Sequence, residues 1–259
     1  KNAKHADQWT NTLQTYAAPI IGKMDVALIE TAHIMRVLEP VWHTKAETAS
    51  RLRGRVEAVL DWATVHRYRT GDNPARWKGH LDALLPARSK VAKSKHFAAL
   101  PWRDMKPFMA ELRQQSGIGA LALQFTILTA ARSGEVRGMA WYEVDFEHKL
   151  WTVPGERMKA GKEHRVPLSD AAMQLLESLK DTKLADTDIV FPSTRDHKPL
   201  SDMTLTAVLR RMKRDDITVH GFRSSFRDWA AEATDYPQEM AEMALAHIVG
   251  NKVEAAYRR

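Results

Sequence analysis

Six residues in the last half of this 259-residue chain have the types needed to work on a phosphate: Arg132, Lys159, His220, Arg223, His247 and Tyr257. They lie in the strings AARSGEV, ERMKAGKEHRVPLS, HGFR, LAH and AAYRR. Two arginines, a lysine and two histidines can surround a phosphodiester, and a tyrosine hydroxyl can attack it. Displacement at phosphorus builds negative charge on the non-bridging oxygens, and fixed cations lower that barrier. Arginine suits the task because it stays charged and presents a planar fork to two oxygens. A lysine ammonium can hand a proton to a leaving oxygen. A phenol, with a free pKa of about 10, needs a cationic pocket or a base to become a nucleophile.

Each residue alone has an ordinary use. An arginine can form a surface salt bridge, a histidine can sit at a helix end, and a late tyrosine can simply pack. Local context narrows the choice. His220 and Arg223 stand three apart at a predicted helix start and share a face. Phe222, Phe226 and Trp229 are expected on the opposite, core-facing stripe, with the polar pair aimed outward. Arg132 follows the apolar run GALALQFTILTAA, and Glu135, three residues on, could orient it. His247 ends an apolar helix. Lys159 lies in a basic loop, where Arg157, Lys162 and Arg165 compete for its role.

The elements that must position these residues are mostly helical. Residues 8–85 read as helices throughout. QWTNTLQTYAAPII is expected to end at Pro19, and MDVALIETAHIMRVLEPVW at the Glu39-Pro40 step. Thr48 is the expected cap of a long helix in which Leu52, Val56, Leu60 and Ala63 form the core face. Arg51 and Arg55 lie one turn apart on a neighbouring face, placed to reach a groove or a phosphate backbone. Residues 83–102 read as a linker bearing Arg88, Lys90, Lys93, Lys95 and His96. From residue 103, amphipathic and apolar helices surround strands in WYEVDFEHKLWTVP and HRVPL, where residues alternate with period two. The expected class is therefore mainly α with a small antiparallel β-sheet (α+β). The expected division is a helical domain over 1–85, a basic linker over 86–102 and a catalytic domain over 103–259.

Composition narrows the function classes. A net charge of +7 favours a polyanionic partner, because lysine and arginine release counterions when they neutralise phosphates. Much of the excess falls in the first third of the chain. The absence of cysteine excludes disulfides, thiolate zinc sites and a thiol nucleophile. No apolar run reaches the ~18 residues of a membrane span. No leader pattern is visible, so a cytosolic protein is expected.

In its motifs the chain resembles the tyrosine recombinases, specifically the prophage and genomic-island integrases of bacteria. The matching strings are Arg132-Ser133-Gly134-Glu135, Arg157-Met158-Lys159, His164-Arg165-Val166-Pro167-Leu168-Ser169, His220-Gly221-Phe222-Arg223, Leu245-Ala246-His247 and Ala256-Tyr257-Arg258-Arg259. Residues 47–63 are similar to the helical core-binding domain of that branch. The resemblance implies that Tyr257 attacks the scissile phosphate and forms a 3′-phosphotyrosyl link. It also implies that Arg132 and Arg223 hold the non-bridging oxygens, and that His220 serves proton transfer and phosphate contact. Lys159 would be the general acid and His247 a hydrogen-bond donor to phosphate, with Glu135 supporting Arg132. Neither metal nor nucleotide is implied. The partner would be double-stranded DNA at attachment core sites, met by a homotetramer, with directionality and DNA-bending factors as further partners. Arg51, Arg55, Lys93, Lys95 and Lys162 are the candidate DNA contacts. A DNA-binding regulator of the same fold and a type IB topoisomerase are the competing readings; the intact residue set opposes the first and the core-binding resemblance the second. Because the chain begins at Lys1 and stops two residues after Tyr257, it is expected to be a core-binding plus catalytic fragment. An arm-binding domain and a C-terminal tail would lie outside it.

Overall fold

The computed structural model describes residues 3–91, 97–181, 184 and 186–247. The chain forms two compact units, Lys1–Lys95 and His96–Arg259.

The first unit is helical. Helix α1 (Ala3–Thr12) runs through a π-helical turn, Leu13–Ala17, into α2 (Ala18–Ile21). Pro19 does not end this run as expected. It lies just after the π-helical turn, and the helical run continues through it to Ile21. Helix α3 (Thr31–Trp42) likewise continues one turn past the Glu39-Pro40 step. Helix α4 (Ala46–Val65) starts earlier than expected, with Lys45 and not Thr48 at its N-cap. Its core face is the expected one: Leu52, Val56, Leu60 and Ala63 are buried, with Ile34, Leu38 and Trp42 of α3 in the same core. A short helix, α5 (Arg88–Val91), closes the described part of this unit.

The second unit is built around one fully surrounded helix. Helix α7 (Ile118–Thr129) packs against α6 (Met105–Arg113), α8 (Ser133–Arg137), α9 (Asp170–Lys180) and α10 (Thr204–Arg211). A helix covered on all sides must be apolar all round, as GALALQFTILTAA is. Gly119 makes one of these contacts possible: a Cβ there would lie 2.8 Å from Cγ2 of Thr204. Strands β1 (Val144–Asp145), β2 (Leu150–Val153) and β3 (His164–Pro167) form an antiparallel sheet in the order β1-β2-β3, with Trp151 opposite Val166 and Val153 opposite His164. Trp151 and Val153 point into the core, and Trp151 meets Phe125 of α7 edge-on at 5.5 Å. Helices α11 (Gly221–Ala233) and α12 (Gln238–Ala244) are the last elements among the described residues of the unit. The fold is thus mainly α with a small antiparallel sheet. Among the described residues, no helix is long and apolar enough to cross a membrane.

Candidate active site

The site is assembled where α7 ends, α8 begins, α11 begins and α12 ends. Helix α7 stops because Ala130 takes a left-handed conformation, φ 49°. That reversal throws the chain outward and delivers Arg132 to the N-cap of α8. Glu135, 4% exposed, accepts from the Arg132 backbone N at 2.9 Å and from its Nη1 at 2.8 Å. One buried carboxylate therefore caps α8 and aims the guanidinium, whose side chain stays 25% exposed.

Helix α11 starts at His220, its N-cap residue. The preceding turn is tied down by Thr218, whose backbone N donates to Ala98 O at 2.9 Å. Gly221 is required at this crossing, because a Cβ there would lie 2.1 Å from Ala98 O. One turn further, Ser225 Oγ donates to Leu100 O. Residues 97–100 thus fix the start of α11, and Phe97 packs edge-on against the His220 ring at 4.5 Å.

Arg223 is not aimed outward as expected. It is 5% exposed and spans the site from inside. Its Nη1 donates to Ala130 O at 2.5 Å, and its Nη2 donates to Leu245 O at 2.5 Å. Nη2 also lies 3.2 Å from His247 Nε2. Burial, and secondarily the positive charge of Arg132, push the Arg223 guanidinium down to about 10. It remains a cation at neutral pH. The core-facing stripe of α11 also differs in part. Phe222 is buried, but Phe226 is only partly buried and Trp229 is exposed.

His247 follows the buried Leu245 and the left-handed Ala246, φ 48°. Its Nδ1 faces Glu242 Oε2 at 2.5 Å. Arg227 Nε donates to the other oxygen of Glu242 at 2.6 Å. His220 is exposed, yet partial removal from water lowers its pKa, and Arg223, Arg132 and His247 lower it further. Arg132, His220, Arg223 and His247 therefore form one electrostatic cluster, with Glu135 and Glu242 behind it as counter-charges. Concentrated positive charge with exposed rims and carboxylate-backed anchors can receive an anionic group such as a phosphate.

Residues 1–80 match the phage integrase central domain, and residues 100–259 match the phage integrase family. The chain belongs to the phage integrase family. It is 31% identical to the integrase of Enterobacteria phage P4, over 98% of this chain and 60% of that protein. It is 30% identical to the prophage integrase IntZ of Escherichia coli, over 94% of this chain and 59% of that one. The chain thus spans about three fifths of the length of these relatives. A lambda integrase dimer bound to a COC′ core site shares the fold with a TM-score of 0.71, at 19% identity, over 100% of this chain and 89% of that one. The Tn1549 transposon integrase in complex with circular intermediate DNA has a TM-score of 0.69 at 12% identity, over 100% of this chain and 94% of that one.

The remaining integrase motif residues divide clearly. Lys159 sits in the β2–β3 loop, just after buried Met158, and is exposed. Among the described residues, no hydrogen bond or ion pair ties it to the cluster. Its competitors are sorted by their partners. Arg157 Nη2 is held by buried Glu143 at 2.5 Å, in a network that also takes Trp151 Nε1 at 3.0 Å, and Arg165 pairs with Glu163 at 3.0 Å. Lys162 is exposed, like Lys159. Tyr257, Lys93 and Lys95 lie outside the described residues.

The two arginines of α4 part company. Arg51 is 63% exposed and pairs with Glu47 at 2.8 Å. Arg55 is buried, which corrects its expected place on the DNA-facing surface. Its Nη1 donates to Gln8 O at 2.6 Å and to Thr12 Oγ1, and its guanidinium lies 5.7 Å from the Trp9 ring centroid. It ties α1 to α4 instead of reaching outward. Sequence reading also missed Glu242 and Arg227. The available signal was a carboxylate five residues before His247 on a short helix, and an arginine one turn after Arg223.

Proposed function

We propose that this chain is the DNA-recombining part of an integrase, cleaving and rejoining strands at specific sites through a 3′-phosphotyrosyl intermediate on Tyr257. The observation that carries the reading is the convergence of Arg132, His220, Arg223 and His247, from separate stretches of sequence, on one place. Arg132 and the outward edge of Arg223 bind the non-bridging oxygens. Their charge stabilises the extra negative charge that develops as the tyrosine oxygen adds to phosphorus and the 5′ oxygen leaves. Lys159, on its exposed loop, gives the leaving 5′ oxygen its proton. His220 and His247 hydrogen-bond the phosphate, and His220 also serves proton transfer. The covalent link conserves the bond energy, so a 5′-hydroxyl from a partner strand can attack it and complete the exchange.

Residues 1–85 form the core-DNA-binding domain, 86–102 the basic linker and 103–259 the catalytic domain. Arg51, Lys93, Lys95 and Lys162 contact DNA. The lambda integrase forms a tetramer bound to a Holliday junction; this chain works in the same assembly, in the cytoplasm on bacterial DNA, with directionality and bending factors set by the element that carries it. The test is covalent trapping on nicked duplexes built from candidate attachment sites, with Tyr257→Phe alongside. An adduct lost in the variant supports the reading, and an adduct retained in it overturns Tyr257 as nucleophile. Integration is the direction expected of these relatives, and excision the reverse reaction of the same site.

A further inference from the structure

We propose that Glu242 is a positioning residue for His247, fixing its tautomer so that Nε2 can take up a proton and become a donor when a phosphate enters. The proposal rests on the reading of the cluster as a phosphate site.

The geometry around the ring assigns its protons. Nδ1 lies 2.5 Å from a carboxylate oxygen of Glu242, an acceptor, so Nδ1 carries the hydrogen. Nε2 lies 3.2 Å from Arg223 Nη2, which can only donate, so Nε2 is bare in the ligand-free site. Glu242 is itself held in place. Arg227 Nε donates to its second oxygen, and the His247 backbone N donates to its carbonyl oxygen at 2.9 Å. Hydrogen bonds from His247 first and Arg227 second hold the Glu242 carboxyl below the usual range, so it is ionised near neutral pH.

A bare Nε2 cannot donate to a phosphate oxygen. When phosphate arrives, Arg223 gains a new acceptor and Nε2 loses its donor. Nε2 then takes one proton from solvent, giving an imidazolium that donates to phosphate through Nε2 and to Glu242 through Nδ1. Among the described residues, the charged groups near this ring are Arg223 and His220 from α11 and its N-cap and Glu242 from α12, with Arg227 on the other oxygen of Glu242 and Arg132 acting across the cluster. Among the described residues, Glu242 is the carboxylate that touches it. Without Glu242, the second proton would enter a site already crowded with cations.

The test has two arms on the full chain. The first is a long-range proton–nitrogen NMR spectrum of the ligand-free protein, reading the His247 tautomer. The expected result is the Nδ1–H form in the wild type and in Glu242→Gln, and a tautomer mixture in Glu242→Ala. An Nε2–H wild type, or an unchanged Glu242→Ala, overturns the proposal. The second arm is adduct formation on a nicked duplex as a function of pH. Glu242→Ala should slow it about tenfold or more at neutral pH, while duplex affinity changes far less. Glu242→Gln keeps the bond but not the charge, so its profile should move to lower pH; an unmoved profile overturns the charge role. A wild-type chain that forms no adduct overturns the functional reading instead, and the tautomer arm, which needs no DNA, still decides whether Glu242 positions His247.

Discussion

Arg223 Nη1 donates to the backbone carbonyl of Ala130 at 2.5 Å, joining the first turn of α11 to the left-handed end of α7. Arg132 follows two residues later. The two arginines are thus placed relative to each other by a main-chain carbonyl, and the core helix that carries Ala130 sets the spacing of the cation cluster.

In the proposed reaction Arg223 combines structure with chemistry. Arg223→Lys keeps a charge but cannot serve the carbonyls of both Ala130 and Leu245. It should cost about 1–3 kcal/mol in folding, the scale of a buried acceptor left unpaired. It should also abolish adduct formation. Denaturant unfolding and covalent trapping on the same preparation check both.

Glu135→Gln should leave α8 capped, since an amide oxygen still accepts from the Arg132 backbone, but it removes the charge that aims the guanidinium. Cleavage should fall about tenfold or more with little loss of duplex affinity. Equal losses in both would place Arg132 in ground-state binding only.

The two α4 arginines should behave oppositely. Arg55→Ala should destabilise the protein by about 1–3 kcal/mol, because it strips donors from Gln8 O and Thr12 Oγ1. Arg51→Ala should cost less than about 0.5 kcal/mol, as an exposed i,i+4 pair does. It should reduce the slope of log affinity against log salt by about one. Urea melts and salt-titrated DNA binding separate the two.

Gly221→Ala should be among the costliest small substitutions, since its Cβ would fall 2.1 Å from Ala98 O, a backbone atom that cannot turn aside. A loss of about 3 kcal/mol or more is expected, with His220 displaced. A thermal melt close to that of the wild type would show that residues 97–100 yield readily.

The pH dependence of stability has a definite sign at His220. Its folded pKa is below its unfolded value, so the unfolded chain binds more protons in that range. Its contribution is full above about 6.5 and is lost as pH falls toward the folded value. His220→Asn should flatten the stability profile there, measured by denaturant midpoints across pH.

Much of this site was readable from local rules. The buried character of residues 118–129, the strand alternation in LWTV and HRVP, and the partnership of Arg132 with Glu135 all follow from spacing within one element. Sequence neighbours three or four apart must meet on a helix, and an apolar run without a polar face must be enclosed. Tertiary structure alone decided which way the arginines turn. Arg55 and Arg223 turn inward, where they donate to carbonyls of other segments at Gln8, Ala130 and Leu245. The link between Glu242, Arg227 and His247 is of the same kind. It depends on how α12 lies beside α11, which is set by packing and not by any single stretch of chain.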